Sequence, residues 1–248
     1  MSAPYGSRGR LGLILPADNV VIEPELAEFA LEGVSVHGFR LTAIEHAAMR
    51  EQAVELAAAI VESGVDAVVY ACAETSFSGG EDSRRSLAGL IAERCGVPVV
   101  TATNATIAAA RAAGIARPVL VAPYTDRSRR QLETVLRAEG IPPVASVSRD
   151  FRVGSGDPRE WFATNRLADD SASLLARGSF VADADGVVIA STNWPTLRRL
   201  PELEAQLGAP VVSSNLAILW WAARTFGLAE ELSRPGALLA GVASRVAS

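Results

Sequence analysis

The sequence predicts an α/β protein built as two similar parallel-sheet α/β domains related by pseudo-twofold symmetry, with a cleft between them. Three observations predict it. Short apolar runs alternate with helical-period segments along the chain, the pattern of parallel strands and crossover helices. The chain also repeats itself. Asp66-Ala67-Val68-Val69-Tyr70-Ala71-Cys72 returns as Asp185-Gly186-Val187-Val188-Ile189-Ala190-Ser191. Pro98-Val99-Val100 with Asn104 returns as Pro210-Val211-Val212 with Asn215, and Leu13-Ile14-Leu15-Pro16 as Leu120-Val121-Ala122-Pro123. Three matches in one order imply two half-molecules, and a small ligand usually sits between halves. Finally, 248 residues, 49% hydrophobic and 21% charged, suffice for a large core.

The elements follow in order. Leu11 to Leu15 is a strand, and Pro24 to Leu31 a short helix with Pro in its first turn, where a missing N–H costs little. Val34 to Phe39 is the second strand. Thr42 and Glu45 have the spacing of a capping box opening a long helix to about Glu62, which Ser63-Gly64 ends. Strand Ala67 to Ala71 leads into Cys72 and a polar loop. A helix from about Asp82 to Arg94, strand Val97 to Val100 and helix Ala105 to Ala113 complete the first set. The second set starts at Val119 to Ala122, followed by a helix from about Ser128 to Ala138 that stops at Gly140. Ile141-Pro142-Pro143 is a turn, Val144 to Ser148 a strand, and Arg152 to Arg159 a loop by its Gly and Pro content. Trp161 to Ala176 reads as helix, Val187 to Ala190 as the strand matching Val68 to Ala71. Leu197 to Leu207 is a helix, Val211-Val212 a strand, and Leu216 to Arg224 a helix. The tail from Ala229 reads as one or two helices broken near Pro235-Gly236. The division expected is a first domain over 1–115, completed by about 214–248, and a second over 116–213.

Composition removes several classes. A net charge of −5 argues against nucleic-acid binding, which needs a basic face. Arg129-Arg130 and Arg198-Arg199 read as solvated helix faces. No run of eighteen apolar residues exists, so no membrane span is expected, and the opening residues lack a signal-peptide layout. Cys72 and Cys95 sit in dissimilar settings and are not expected to pair, so the chain reads as cytoplasmic. With only His37 and His46 and no Cys/His cluster, no metal site is expected. No phosphate-binding glycine loop and no Gly-x-Ser-x-Gly elbow is present, so no nucleotide cofactor and no serine-hydrolase chemistry is expected. His46 falls on the outer period of the long helix, a solvated position.

Ligand contacts in an open parallel sheet come from the carboxyl ends of strands. The residues there are Pro16 to Asn19, Cys72 to Ser76, Pro123 to Thr125, Ser191 to Asn193, and Thr101 to Asn104 or Ser213 to Asn215. Most are small, polar or hydroxyl-bearing. A thiol at Cys72, before a loop of backbone N–H groups, would have its pKa lowered and act as nucleophile or base. The competing reading is a buried structural cysteine. Thr75 and Ser76 suit either a cradle for an oxyanion or a helix cap. Tyr124 suits a hydrogen bond to a substrate oxygen or the covering of a core edge; Asn19 and Asn193 suit amide donation or turns. Glu74, a carboxylate beside the thiol, would repel an anion and is expected to point to solvent.

These loops resemble those of the aspartate/glutamate racemase superfamily, and within it the maleate cis–trans isomerase and arylmalonate decarboxylase branch. Leu13 to Asn19 with Glu23-Pro24-Glu25 is similar to the isomerases' opening Val-Pro-Ser-Ser-Asn…Glu. Tyr70-Ala71-Cys72…Ser76-Phe77 is similar to their first cysteine loop, Pro123-Tyr124 to the Pro-Tyr of both enzymes, and Ser191-Thr192-Asn193 to their second loop, Ser-Cys-Thr-Asn. The resemblance implies a cofactor-independent enzyme on a small carboxylic acid, with homo-oligomerisation possible. Carried over by position, it implies Cys72 as nucleophile or base and Ser191 opposite it. Asn19, Tyr124, Thr192, Asn193 and Asn165 then bind carboxylate oxygens, with Thr75 and Ser76 in the oxyanion pocket. Two departures matter. The second cysteine is Ser191, and the decarboxylases show the reverse pattern, glycine in the first loop and cysteine in the second. The expected functions are therefore an isomerase of a small unsaturated or α-substituted acid, a malonate-type decarboxylase with Cys72 as proton donor, or a non-catalytic carboxylate-binding protein. Cys95 matches Leu207, an apolar helix-end residue, and is expected to be a bystander.

Overall fold

The computed structural model describes residues 5–78, 80–151 and 167–228, with the side chains of 80–86 left out. The first half runs β1 (Gly9–Pro16), α1 (Ile22–Glu28), β2 (Val34–Leu41), α2 (His46–Ser63), β3 (Ala67–Tyr70), α3 (Ala73–Phe77), α4 (Gly80–Cys95), β4 (Val99–Thr101) and α5 (Ala102–Ala112). The second runs β5 (Pro118–Ala122), α6 (Asp126–Ala138), β6 (Ala145–Ser148), α7 (Ser171–Ser179), β7 (Gly186–Ile189), α8 (Leu200–Leu207), β8 (Val211–Ser213) and α9 (Ser214–Thr225). The strands form two four-stranded parallel sheets of the same order, β2-β1-β3-β4 and β6-β5-β7-β8.

The repeat in the sequence is a repeat of register. Tyr70 lies between Ile14 and Thr101, and Ile189 between Val121 and Ser213. Asp66 and Asp185 do the same job at the other end, accepting the N–H groups of Arg10 and Arg117 where β1 and β5 begin. Strands β1, β3, β5 and β7 are covered on both faces, which explains their unbroken apolar runs. Leu13, Val69, Val121 and Val188 are fully buried or nearly so in one continuous core; each such side chain contributes about 1.5–3 kcal/mol by leaving water. Helices α5 and α9 pack on each other; α5 also touches β4 and β8, and α9 touches β8 and β3. Their contact faces are rich in alanine (Ala102, Ala105 and Ala109 in α5; Ala217, Ala222 and Ala223 in α9), which lets the two backbones approach.

Several expectations change. Thr42 and Glu45 make no capping box: Glu45 caps α2 without a side-chain hydrogen bond. Gln52 does that work instead, accepting the Thr42 and Ala43 N–H groups and donating to the Thr42 hydroxyl. The loop after Cys72 is helical over Ala73–Phe77, because Ala73 and Phe77, four apart, both bury on one face. Residues 167–170 are not helical and α7 starts at Ser171, behind the expected start at Trp161. The expected loop over 152–159 and the tail from Ala229 lie outside the described residues. Arg198 and Arg199 are solvated as expected and pair with Glu28 and Asp169, whereas Arg129 is half-buried against Glu133. Among the described residues no helix is long and apolar enough to cross a membrane.

Candidate active site

In both sheets the chain leaves the central pair of strands in opposite directions, so a crevice opens at their carboxyl ends. The crevices of the two halves face each other as one cleft of about 620 Å³, within the range of about 300–1,000 Å³ typical of small-ligand sites. Loop Pro16–Asn19 after β1, Cys72–Thr75 after β3, Pro123-Tyr124 after β5 and Ser191–Asn193 after β7 all line it. The segment joining β2 to α2 adds Leu41 to His46 and Met49. Cys72 and Ser191, equivalent in the repeat, thus share one space.

The two halves are sewn together beneath it. Asn19 donates from Nδ2 to Thr192 Oγ1 at 3.1 Å, and Thr192 Oγ1 donates to the Ala71 carbonyl at 2.9 Å. Asn193 Oδ1 accepts the Val20 N–H at 3.2 Å. The Oδ1 of Asn19 meanwhile accepts the N–H groups of Val21 and Ile22, where α1 begins. Buried Glu25 accepts the Thr196 and Leu197 N–H groups at 2.6 and 2.8 Å and the Asn215 amide at 2.7 Å. Desolvation raises the Glu25 pKa, against the pull of these three donors. The asparagines of the cleft therefore hold the floor in place as well as lining it.

Cys72 caps α3 and is half-buried. Burial pushes its thiol up to about 11, with the charges of Glu74 and Asp18 adding to the rise. The Thr75 hydroxyl and backbone N–H work in the opposite direction. The expected lowering is thus overturned: the N–H donor is present, but a five-residue helix supplies too little field to offset desolvation. Thr75 is held by Tyr70, whose Oη lies 2.6 Å from its Oγ1. Burial likewise raises the Tyr70 phenol, which is therefore neutral.

Glu74 does not point to solvent. It lines the cleft, and Ser128 of α6 donates to its Oε1 at 2.5 Å from the opposite half. His46 also lines the cleft and is half-buried, where a solvated position was expected. Ser76 turns away: its hydroxyl donates to the Ala73 carbonyl and lies 2.5 Å from Thr103 Oγ1, in the interior behind α3. Tyr124 lines the cleft with its ring tilted against Phe77, centroids 5.8 Å apart. Ser191 is buried at the cleft wall and accepts the Asn193 N–H at 3.2 Å, so its own proton is available to a ligand. Asn165 lies outside the described residues. Cys95 is buried between α2 and α4, packed with Met49, Ile60 and Ile91. His37 is exposed, 2.8 Å from the Ser35 hydroxyl. Among the described residues no group of His, Cys, Asp or Glu is arranged to hold a metal ion. Asp18 lines the cleft from the strand-end loop Pro16 to Asn19, as its position after β1 led one to expect, whereas the fold alone brings His46 and the β2–α2 segment to the same space.

Known proteins are similar to this chain in sequence and fold. The chain is 29% identical over 224 residues to arylmalonate decarboxylase of Bordetella bronchiseptica, covering 90% of this chain and 89% of that one. It is 27% identical over 255 residues to maleate isomerase of Geobacillus stearothermophilus, covering 94% and 97%. A liganded crystal structure of arylmalonate decarboxylase superposes with a TM-score of 0.76 at 25% identity, over 93% of this chain and 98% of that one. That protein is a double mutant with a glycine changed to cysteine and a cysteine changed to serine. The arylmalonate decarboxylase family model matches residues 11–239, both sheets and every loop of the cleft included, and the chain belongs to that family.

Proposed function

We propose that the protein is a cofactor-independent, cytoplasmic isomerase of a small unsaturated or α-substituted carboxylic acid, working through the Cys72 thiolate. The observation that carries this reading is the Cys72 thiol in a 620 Å³ cleft at the carboxyl ends of paired parallel strands, opposite Ser191. Similarity to maleate isomerases over nearly the whole chain supports it. The Cys72 thiol first gives its proton to solvent water; Cys72 Sγ then forms a bond to one alkene carbon, and the π pair moves toward the neighbouring carboxylate as an enolate. Asn19, Thr75, Tyr124 and Asn193, with Asn165, are assigned to the carboxylate oxygens, and Ser191 donates a hydrogen bond. Thr192, its hydroxyl proton spent on the Ala71 carbonyl, is assigned to holding Asn19 in place. The former double bond rotates, the pair returns, the C–S bond breaks and the trans acid leaves with the thiolate restored. Ser76 is assigned a supporting role behind α3. The domains of this reading are 1–115 completed by about 214–248, and 116–213; the packing of α9 on α5 and α1 supports the crossing-over.

One observation favours a second reading. A thiol pushed up to about 11 is protonated at neutral pH, which suits a proton donor. In a malonate-type decarboxylase the bond to one carboxylate breaks, CO2 leaves, and the pair stays behind as an enolate. Cys72 then gives its proton to that carbon and regains one from water. The Cys72–Ser191 pair has the residue types introduced in the decarboxylase double mutant. Proton NMR in deuterated water, with cis-unsaturated acids and a disubstituted malonate, tests both. A trans product without carbon-bound deuterium supports the isomerase, and CO2 release with deuterium on one face the decarboxylase. Binding without either outcome supports a carboxylate-binding protein.

A further inference from the structure

The acidic side chains of the cleft are not explained by a carboxylate site, and their positions are fixed. Glu74 follows Cys72 by two residues and is held in the lining by the Ser128 hydroxyl, 54 positions away on the other half. Asp18 lines the same space from the loop after β1, and Glu45 from the segment before α2. Among the described residues the lining includes no Lys or Arg. Arg40 of β2 and Arg50 of α2 turn to the backs of these loops; burial raises the Asp18 carboxyl, and Arg40 is close enough to pull it down against that larger rise. Arg40 donates to the carbonyls of Pro16, Ala17 and Asn19, and Arg50 to Thr75 O and Ser78 Oγ. In the rest of the β2–α2 wall Leu41, Ala43, Ile44 and Met49 are apolar, and Thr42 and His46 are polar.

We infer that this cleft selects acids carrying a single carboxylate, with Glu74 and Asp18 as the specificity-determining residues that reject a second one. The inference rests on the proposed carboxylate-binding role of the cleft and names its substrate class: a monoanion whose other substituent is uncharged, facing Glu74 and the apolar wall. The cause is Coulombic. Like charges a few ångströms apart in a partly desolvated cleft repel by more than a factor of about ten in binding at an effective dielectric near 20. Both carboxylates are close enough to raise the Cys72 thiol, so a second substrate carboxylate near the reacting carbon meets the same field.

The test compares maleate with maleamate, the same cis skeleton with one carboxylate replaced by an amide. The readout is protection of Cys72 from iodoacetamide at about pH 8, where carboxyl groups are ionised. It is measured by peptide mass spectrometry and normalised to the rate without ligand. Maleamate is expected to protect at concentrations about tenfold or more below those of maleate. Glu74→Gln, with Asp18→Asn as an independent second variant, is expected to close that gap by improving protection by maleate. Equal or better protection of the parent protein by maleate overturns the inference while leaving the carboxylate site standing. So does a gap that neither variant narrows. Failure of both compounds to protect overturns the inference together with the functional reading on which it rests.

Discussion

The Cys72 loop and the Ser191 loop leave equivalent strands at the same register and then diverge. After Cys72 the chain turns at once into α3, and the side chains of Glu74 and Thr75 face the cleft. After Ser191 it bends without a helix, and nearly every polar group is consumed by the other half or by the loop itself. Thr192 bonds to Ala71 and Asn19, Asn193 to Val20, and Trp194 Nε1 to Ser171 at 2.6 Å. The N–H groups of Thr196 and Leu197 go to Glu25. A duplicated strand scaffold therefore does not imply duplicated chemistry. One copy presents a reactive group with its neighbours facing a ligand, and the other spends its polar groups on holding the first in place.

The largest expected effect tests that asymmetry directly. Cys72→Ala should reduce turnover by about a thousandfold or more, since nucleophile or proton donor is removed outright. Steady-state rates on whichever acid proves active, set beside far-UV circular dichroism to verify folding, measure it. Next comes the brace. Glu25→Ala strands three buried donors and should cost about 3 kcal/mol or more in urea unfolding. Glu25→Gln should cost about 1 kcal/mol, because its Oε1 still accepts the Thr196 and Leu197 N–H groups and only the bond from the Asn215 amide is lost. Burial holds the Glu25 carboxyl above its usual 4.5, so the folded state binds more protons than the unfolded one. Its contribution to stability is complete below about pH 4.5 and falls as pH rises from there; Glu25→Gln should lack that slope. A neutral result for Glu25→Ala would show that the second loop stands without the first half.

Ser191 is the finer probe. As a lone hydrogen-bond donor it is worth about tenfold in rate, so Ser191→Ala should slow turnover by about that factor. A hydroxyl is too weak an acid to move a proton without a base bonded to it, and the group bonded to Ser191 Oγ is the Asn193 N–H. Ser191→Cys supplies a thiol on the second face and should open exchange of deuterium on both faces, followed by proton NMR. If Ser191→Ala is as inactive as Cys72→Ala, the two loops act as one unit and their asymmetry is only chemical detail.

Much of this was readable along the chain, because strands and strand ends depend on local pattern. The aligned repeats carry the register of Tyr70 and Ile189, and with it the meeting of Cys72, Ser191, Asn19 and Tyr124 in one cleft. What escaped depends on side chains far apart in sequence. Nothing near Glu74 foretells Ser128 as its partner, and nothing near Thr42 separates a capping box from the grip of Gln52. The direction of the Cys72 shift escaped for the same reason. Backbone N–H groups next to a thiol are visible in a sequence, while the burial that outweighs them is a property of two closed halves. Ser76 was misplaced by a helix of five residues: once Ala73–Phe77 coils, Thr75 and Ser76 must face different ways, about 100° apart.

The smallest expected effect separates the two thiols. Cys95 closes α4 in the buried cluster of Ala53, Ile60, Leu87 and Ile91 and is not among the residues lining the cleft, although Met49 of the same cluster is. Its counterpart in the second half, Leu207, ends α8 as a plain apolar side chain. Cys95→Ser should therefore leave turnover within about twofold of the parent and cost about 1 kcal/mol in stability, the price of a hydroxyl in an apolar layer. In that background iodoacetamide reads Cys72 alone. Only the thiolate reacts, and a thiol pushed up to about 11 stays mostly protonated below that pH. The alkylation rate should then rise about tenfold per pH unit from roughly pH 7 to 9 without a plateau, and Glu74→Gln should raise it at every pH by removing a like charge. A plateau near pH 8 would mean that Thr75 and the α3 amides outweigh burial after all. A large loss of turnover in Cys95→Ser, with Cys72→Ala still active, would move the chemistry from the first loop to the α2–α4 layer.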